Sequence, residues 1–274
     1  MPLGSYWDNI RKNSPIIHHI TNYVTVNDVA NITLACGASP IMADCQEEMT
    51  DITAITQGLC LNIGTLNQRL LESMLLAAAR AADAGHPITL DPVGAGASAL
   101  RTGAAQSILA AAPVTVIRGN ISEIKVLIGD TGHTQGVDAA AVDSISPENL
   151  LQAAAFAKAA AQKLNTITAI TGAIDLVADA DKCYVIRNGR PEMSRITGTG
   201  CQCSALTAAA IAANPTAPLE AAAAAVCAMG LAGEIACAHL AAHEGNATCR
   251  SRIIDAIYNM TGEVLDKGAK YEIL

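Results

Sequence analysis

An alternation constrains this chain more than any other feature. Short apolar runs rich in β-branched residues lie at 15–20, 39–42, 59–63, 88–90, 114–117 and 166–170, with helical stretches between them. Each run is apolar on both sides and flanked by Gly, Asp or Asn, as a strand buried in a parallel sheet reads. Helices are expected at 26–36, closed by Gly37, and at 66–84, closed by Gly85. Two more are expected at 102–112, ending before Pro113, and at 148–164, behind the Ser146-Pro147 cap. The alternation predicts an α/β fold with a central, mostly parallel β-sheet flanked by helices on both faces.

Past residue 170 the pattern changes. Residues 175–180 and 183–187 read as a hairpin, and 192–195 as a third short strand. The remainder reads as helical at 202–213, 219–243 and 248–267. No linker, repeat or hinge divides the 274 residues, so residues 1–274 are expected to form a single domain. The first few residues are open to being a remnant outside the fold.

Hydrophobic residues make up 51% of the chain and charged residues only 15%, which excludes a mostly disordered protein. Aromatics are 3%, so Ala, Ile, Leu and Val must fill the interior. The net charge is -8 and basic residues are scattered, which argues against nucleic acid and an anionic membrane surface as partners. Residues 221–242 are Ala-rich, but Glu234 and His239 interrupt them, so a buried helix is expected rather than a membrane span. The N-terminus has no apolar signal core, and nine cysteines without a CxxC pair fit a reducing, cytoplasmic setting.

Ligands of open α/β sheets bind beyond the carboxyl ends of the strands. Five segments sit there: 18–22, Asp91 to Gly96, Arg118 to Glu123, Thr171-Gly172, and Thr197-Gly198-Thr199-Gly200-Cys201. In the last, two glycines precede an Ala-rich helix, so backbone N–H groups and the helix dipole can face an anion. An ordinary tight turn reads the same way. Glu123 at a helix start can hold Mg²⁺ or merely complement the dipole. Asp91 suits a metal or phosphate site, or a turn. Gly94-x-Gly96 does not complete a dinucleotide fingerprint, and no Walker A pattern is present. His239 and His243 would share a helix face, but Leu240 stands where a zincin needs Glu. No role falls to His18 or His19.

Taken in order, seven blocks make this chain resemble the hydroxyethylthiazole kinase family of thiamine salvage, within the ribokinase-like superfamily. They are Ile20-Thr21-Asn22, Gly37 to Ala43, Leu61 to Leu66, Leu90 to Gly96, Ile117 to Asn120, Ala169 to Gly172 and Thr197 to Cys201. The resemblance implies ATP-dependent phosphorylation of the primary hydroxyl of 4-methyl-5-(2-hydroxyethyl)thiazole, with Mg²⁺. It also implies a homotrimer with active sites between subunits. Cys201 stands where most ribokinase-like enzymes carry an aspartate base, and Gly198 and Gly200 match the anion hole. Arg118, Thr171 and Asn120 match ATP-binding positions, and Asp91 and Glu123 match positions near Mg²⁺. Met42, Asn22, Val24, Gly64, Thr65 and Gly198 match the thiazole pocket. A kinase for hydroxymethylpyrimidine or a pyridoxal-type alcohol is the nearest alternative, which cysteine at 201 disfavours. A nucleotide-binding protein without catalysis is another.

Overall fold

In the computed structural model, residues 2–129 and 145–274 are described. Six strands run parallel: β1 (Ile16–Ile20), β2 (Ser39–Met42), β3 (Gly58–Asn62), β4 (Ile88–Asp91), β5 (Val116–Gly119) and β6 (Ile167–Ile170). Three antiparallel strands extend the sheet: β7 (Asp175–Ala178), β8 (Cys183–Ile186) and β9 (Tyr271–Ile273). Their order is β2-β1-β3-β4-β5-β6-β7-β8-β9. The expected α/β class is therefore observed, with the hairpin at the sheet's far end.

Alternate residues of a strand face opposite sides, and the core divides accordingly. Cys60 joins a layer with α1 (Gly4–Asn13), α2 (Val26–Cys36), α8 (Thr199–Ala213), α9 (Pro218–Ala238), α10 (Asn246–Asn259) and α11 (Gly262–Gly268). Its neighbours Leu59 and Leu61 join the other layer, with α3 (Met49–Ile55), α4 (Gln68–Asp83), α5 (Ala99–Ala111), α6 (Ile121–Leu127) and α7 (Leu150–Leu164). Alanines dominate α8 and α9, so these helices come close to each other and to the sheet. Helix α9 is long and apolar enough to cross a membrane, but it is largely buried inside the protein.

Several expectations are corrected. Residues 192–195 form no strand; Pro191–Arg195 is a 3₁₀ turn started by proline. Helix α9 ends at Ala238, with His239 as its C-cap, so His239 and His243 share no helix face. Residues 248–267 split into α10 and α11 at Met260-Thr261. The first residues belong to the fold: Leu3 and Trp7 are fully buried, and Trp7 Nε1 donates to the Met260 carbonyl at 3.1 Å. Strand β2 is half exposed at the sheet edge instead of buried on both faces.

Two neighbouring histidines close β1, one on each face. His18 Nε2 pairs with the Ala43 carbonyl at 2.8 Å, and His19 Nε2 with Thr33 Oγ1 at 3.2 Å. Burial pushes His18 below its ordinary range, against the Ala43 carbonyl and Glu48. Burial, with neighbouring His18, pushes His19 down to about 3. Both stay neutral in the fold, whereas the unfolded chain protonates near 6.5. Their contribution to stability is thus complete above that pH and declines as pH falls toward 3. Urea unfolding at pH 7, 6 and 5 should show stability decreasing with acidification. His19→Gln should flatten the slope by up to about 1.4 kcal/mol per pH unit. An unchanged slope would remove His19 as its source.

Candidate active site

The parallel strands deliver polar side chains to one end of the sheet. Asn22 follows β1, Asn62 ends β3, Asp91 ends β4 and Arg118 lies in β5. Strand register sets Asn62 beside Asp91. Thr171 follows β6, and its N–H donates to the Gly119 carbonyl at 2.9 Å.

At the centre is a buried ion pair. Arg118 Nη2 bonds Asp91 Oδ2, and Arg118 Nε donates to Ser204 Oγ at 2.8 Å. Ser204 donates onward to Asp91 Oδ2 at 2.9 Å, and Asn62 Nδ2 donates to the same oxygen at 2.7 Å. Burial works against the Arg118 charge as the largest single influence. The Asp91 carboxylate, with Cys203 and Cys201, outweighs it and holds the guanidinium firmly protonated. Arg118 is thus committed to Asp91 and Ser204 and is not a free surface cation.

Helix α8 begins against this pair. Gly198 has φ +91°, and a Cβ there would meet Thr25 Cγ2 at 2.7 Å. A Cβ on Gly200 would meet Arg118 Nη1 at 2.9 Å, so glycine lets the guanidinium lie against the helix start. No side chain caps this N-terminus, which leaves its first N–H groups for an anion. Cys201, in the first turn, accepts N–H bonds from Asn22 Nδ2 at 3.2 Å and Asn62 Nδ2 at 3.3 Å.

Two cavities adjoin the cluster. One, of about 510 Å³, is lined by Thr171, Gly172, Asp175, Arg190, Thr199 and Gly200 among others. Asp175 Oδ1 accepts from the Gly172 N–H at 2.8 Å. Burial lifts its carboxyl to about 7, against the Gly172 amide and the charge of Arg118. Glu234 fixes the wall by accepting from Gly189 N at 3.0 Å and Asn188 Nδ2 at 3.2 Å. The second cavity, of about 380 Å³, is lined by Tyr23, Gly64, Thr65 and Arg101 among others. Thr65 Oγ1 accepts from the Tyr23 N–H at 3.2 Å, and Gly64 N donates to Asn62 Oδ1 at 3.0 Å. Val24 and Met42, the other expected pocket residues, lie on the surface, with Val24 59% exposed.

Asn120 and Glu123 form the capping box of α6. Glu123 Oε1 accepts from Gly94 N and Oε2 from Asn120 N, both at 2.8 Å. Asp91 Oδ1, by contrast, is buried without a hydrogen-bond partner. Among the described residues no group of three His, Cys, Asp or Glu could hold a metal. The free oxygen of Asp91 is compatible with a Mg²⁺ ion whose other positions would be filled by phosphate and water, whereas both oxygens of Glu123 already accept backbone amides.

Asn62, Ser204, Asp175 and Arg101 escape the sequence reasoning. Asn62 was inside the block Leu61 to Leu66, where a polar residue ending an apolar strand is the available signal. Ser204 sits one turn beyond Gly200 on an apolar helix, and only its contact reveals it. Arg101 reaches back from α5 to the Gly64 carbonyl at 2.7 Å and the Val93 carbonyl at 3.2 Å.

Ser204→Ala leaves Arg118 Nε and Asp91 each one bond short in a buried site. It should lower stability by about 1–3 kcal/mol in urea unfolding. A loss below about 0.5 kcal/mol, the low end for one hydrogen bond, would show that the ion pair does not need the hydroxyl.

Comparisons with known proteins place the chain in a family. The model of the hydroxyethylthiazole kinase family matches residues 7–263. A hydroxyethylthiazole kinase of Clostridium acetobutylicum is 54% identical over 265 residues, covering 97% of each chain. The solved hydroxyethylthiazole kinase of Pyrococcus horikoshii superposes with a TM-score of 0.88 at 34% identity, over 99% of this chain and 98% of that one. A pyridoxal kinase from Staphylococcus aureus shares the fold at a TM-score of 0.56 and 14% identity, over 79% of this chain and 86% of that one. Family model, relatives and fold agree: the chain belongs to the hydroxyethylthiazole kinase family.

Proposed function

We propose that this protein transfers the γ-phosphoryl group of ATP to the primary hydroxyl of 4-methyl-5-(2-hydroxyethyl)thiazole, as a single-domain thiamine-salvage kinase of the cytoplasm. The observation that carries this reading is Cys201 in the first turn of an uncapped helix, joined through its neighbours to two cavities. Gly200, its neighbour, lines the larger one, and Gly64, bonded to Asn62, lines the smaller.

The transition state of phosphoryl transfer is loose, so positioning and charge neutralisation supply most of the catalysis. In this reading the larger cavity takes the nucleotide. Thr171 lines it, Arg118, paired with Asp91, lies against the helix start at Gly200, and Asn120 opens α6 next to Glu123. The amides at Gly198–Cys201 hold the transferring phosphoryl group. Mg²⁺, when bound, neutralises phosphate charge, with Asp91 and Glu123 as the carboxylates nearest to hand. The thiazole alcohol occupies the smaller cavity, against Gly64, Thr65 and Asn22, with Gly198 at the reacting end. Cys201 receives the hydroxyl hydrogen bond and orients it for attack.

Met42, Val24 and Tyr23 complete the thiazole side only if something covers them. Tyr23 and Val24 are consecutive and 78% and 59% exposed, and contiguous exposed apolar surface marks interaction sites. This supports a homotrimer in which a second subunit closes each site. Sedimentation equilibrium should give about three times the 28.1 kDa chain mass. A monomer that turns over normally would refute the shared site.

ADP release with the thiazole alcohol should require Mg²⁺ and exceed release with hydroxymethylpyrimidine or pyridoxal. ATP binding without turnover on any of the three alcohols would instead support the non-catalytic reading. Cys201→Ser should lower kcat by about 10-fold or more while ATP binding persists, and Cys201→Asp should retain turnover. A folded but inactive Cys201→Asp enzyme would remove proton acceptance from the role of Cys201.

A further inference from the structure

Asn62 contacts more of the site than any residue assigned from the family pattern. It is 1% exposed and uses its full hydrogen-bonding capacity. Its Nδ2 donates to Asp91 Oδ2 at 2.7 Å and to Cys201 Sγ at 3.3 Å. Its Oδ1 accepts from Gly64 N and from Asn22 Nδ2, both at 3.0 Å.

The orientation of this carboxamide is not arbitrary. The Gly64 N–H can only donate, so it requires the Asn62 oxygen on its side and turns the nitrogen toward Asp91 and Cys201. Asn22 is oriented by the same logic. Its Oδ1 accepts from Thr25 N and Thr25 Oγ1, both at 3.0 Å, which turns its nitrogen toward Asn62 and Cys201. Two N–H groups with fixed direction thus point at one sulfur. Cys201 Sγ accepts on both sides, and its remaining direction is left for a third group.

We infer that Asn62 is a positioning residue that, with Asn22, makes the Cys201 sulfur a hydrogen-bond acceptor and aims its free side at the substrate hydroxyl. The same carboxamide locks that sulfur to Asp91 and to the Gly64 loop, so one planar group sets the angle between the two halves of the site. The inference deepens the kinase reading and rests on it.

A double-mutant cycle tests it. Asn62→Ala should lower kcat for ADP formation by about 10-fold or more, with the KM for ATP changed by less than about twofold. In a Cys201→Ala background the same substitution should change kcat by less than about threefold, because the sulfur it orients is gone. Equal factors in both backgrounds would overturn the inference, since a purely structural role does not depend on Cys201. If Asn62→Ala fails to fold, Asn62→Ser carries the same comparison. A readout without turnover separates this inference from the kinase reading. Alkylation of Cys201 by iodoacetamide, followed on its peptide by mass spectrometry, should slow by about fivefold in Asn62→Ala, because one of the two N–H donors that hold the sulfur in its attacking orientation is gone. An unchanged rate would overturn the inference even where the wild type phosphorylates the alcohol. Wild type inactive on every alcohol, with slowed alkylation in the variant, would remove the kinase reading and leave the acceptor geometry standing.

Discussion

The ion pair between Arg118 and Asp91 organises this end of the molecule. Asp91 is fully buried and Arg118 nearly so. Removing one partner of such a pair leaves an uncompensated charge and typically costs about 3–5 kcal/mol. The neighbours make the pair tolerable: Ser204 bonds both partners and Asn62 adds a third donor to the carboxylate. Gly200 leaves room for the guanidinium. Strands β3, β4 and β5 and helix α8 are thereby tied together at their functional ends.

This arrangement explains how a chain of net charge -8 can receive a triphosphate. The cation nearest the helix start is already matched by a carboxylate, so it adds little net attraction. In the proposed reaction the positive potential would come from the uncapped N-terminus of α8, from Arg190 in the cavity wall and from an ion brought with the nucleotide. Glu123, whose two oxygens are taken by backbone amides, holds the Gly94 loop and the start of α6 together. Its sequence position suits a metal ligand, yet its immediate structural work is a helix cap.

The parallel sheet was legible because the runs 59–63, 88–90 and 166–170 are rich in apolar and β-branched residues and are followed by Gly64, Asp91 and Thr171-Gly172, whereas the edge strand 39–42 is half exposed. Helix α2 was legible to the residue because Gly37 takes the left-handed conformation that closes it. Helix α1 was not, because its first turn lacks acidic residues and its N-cap is Leu3. The strand expected at 192–195 failed because Pro191 fixes a 3₁₀ turn that four residues of pattern cannot reveal. In the site, residues flanked by glycine were visible, since glycine before a helix has a physical meaning. Ser204 and Asn62 were not, because their significance lies in partners 113 and 139 positions away.

The single tryptophan has an experimental consequence. Trp7 is wholly enclosed where α1 meets the turn into α11, with its indole N–H held by the Met260 carbonyl. Its emission therefore reports the docking of the two chain ends on each other. Fluorescence on denaturation will follow release of that seam, and a ligand entering at the strand ends should leave the emission maximum almost unmoved.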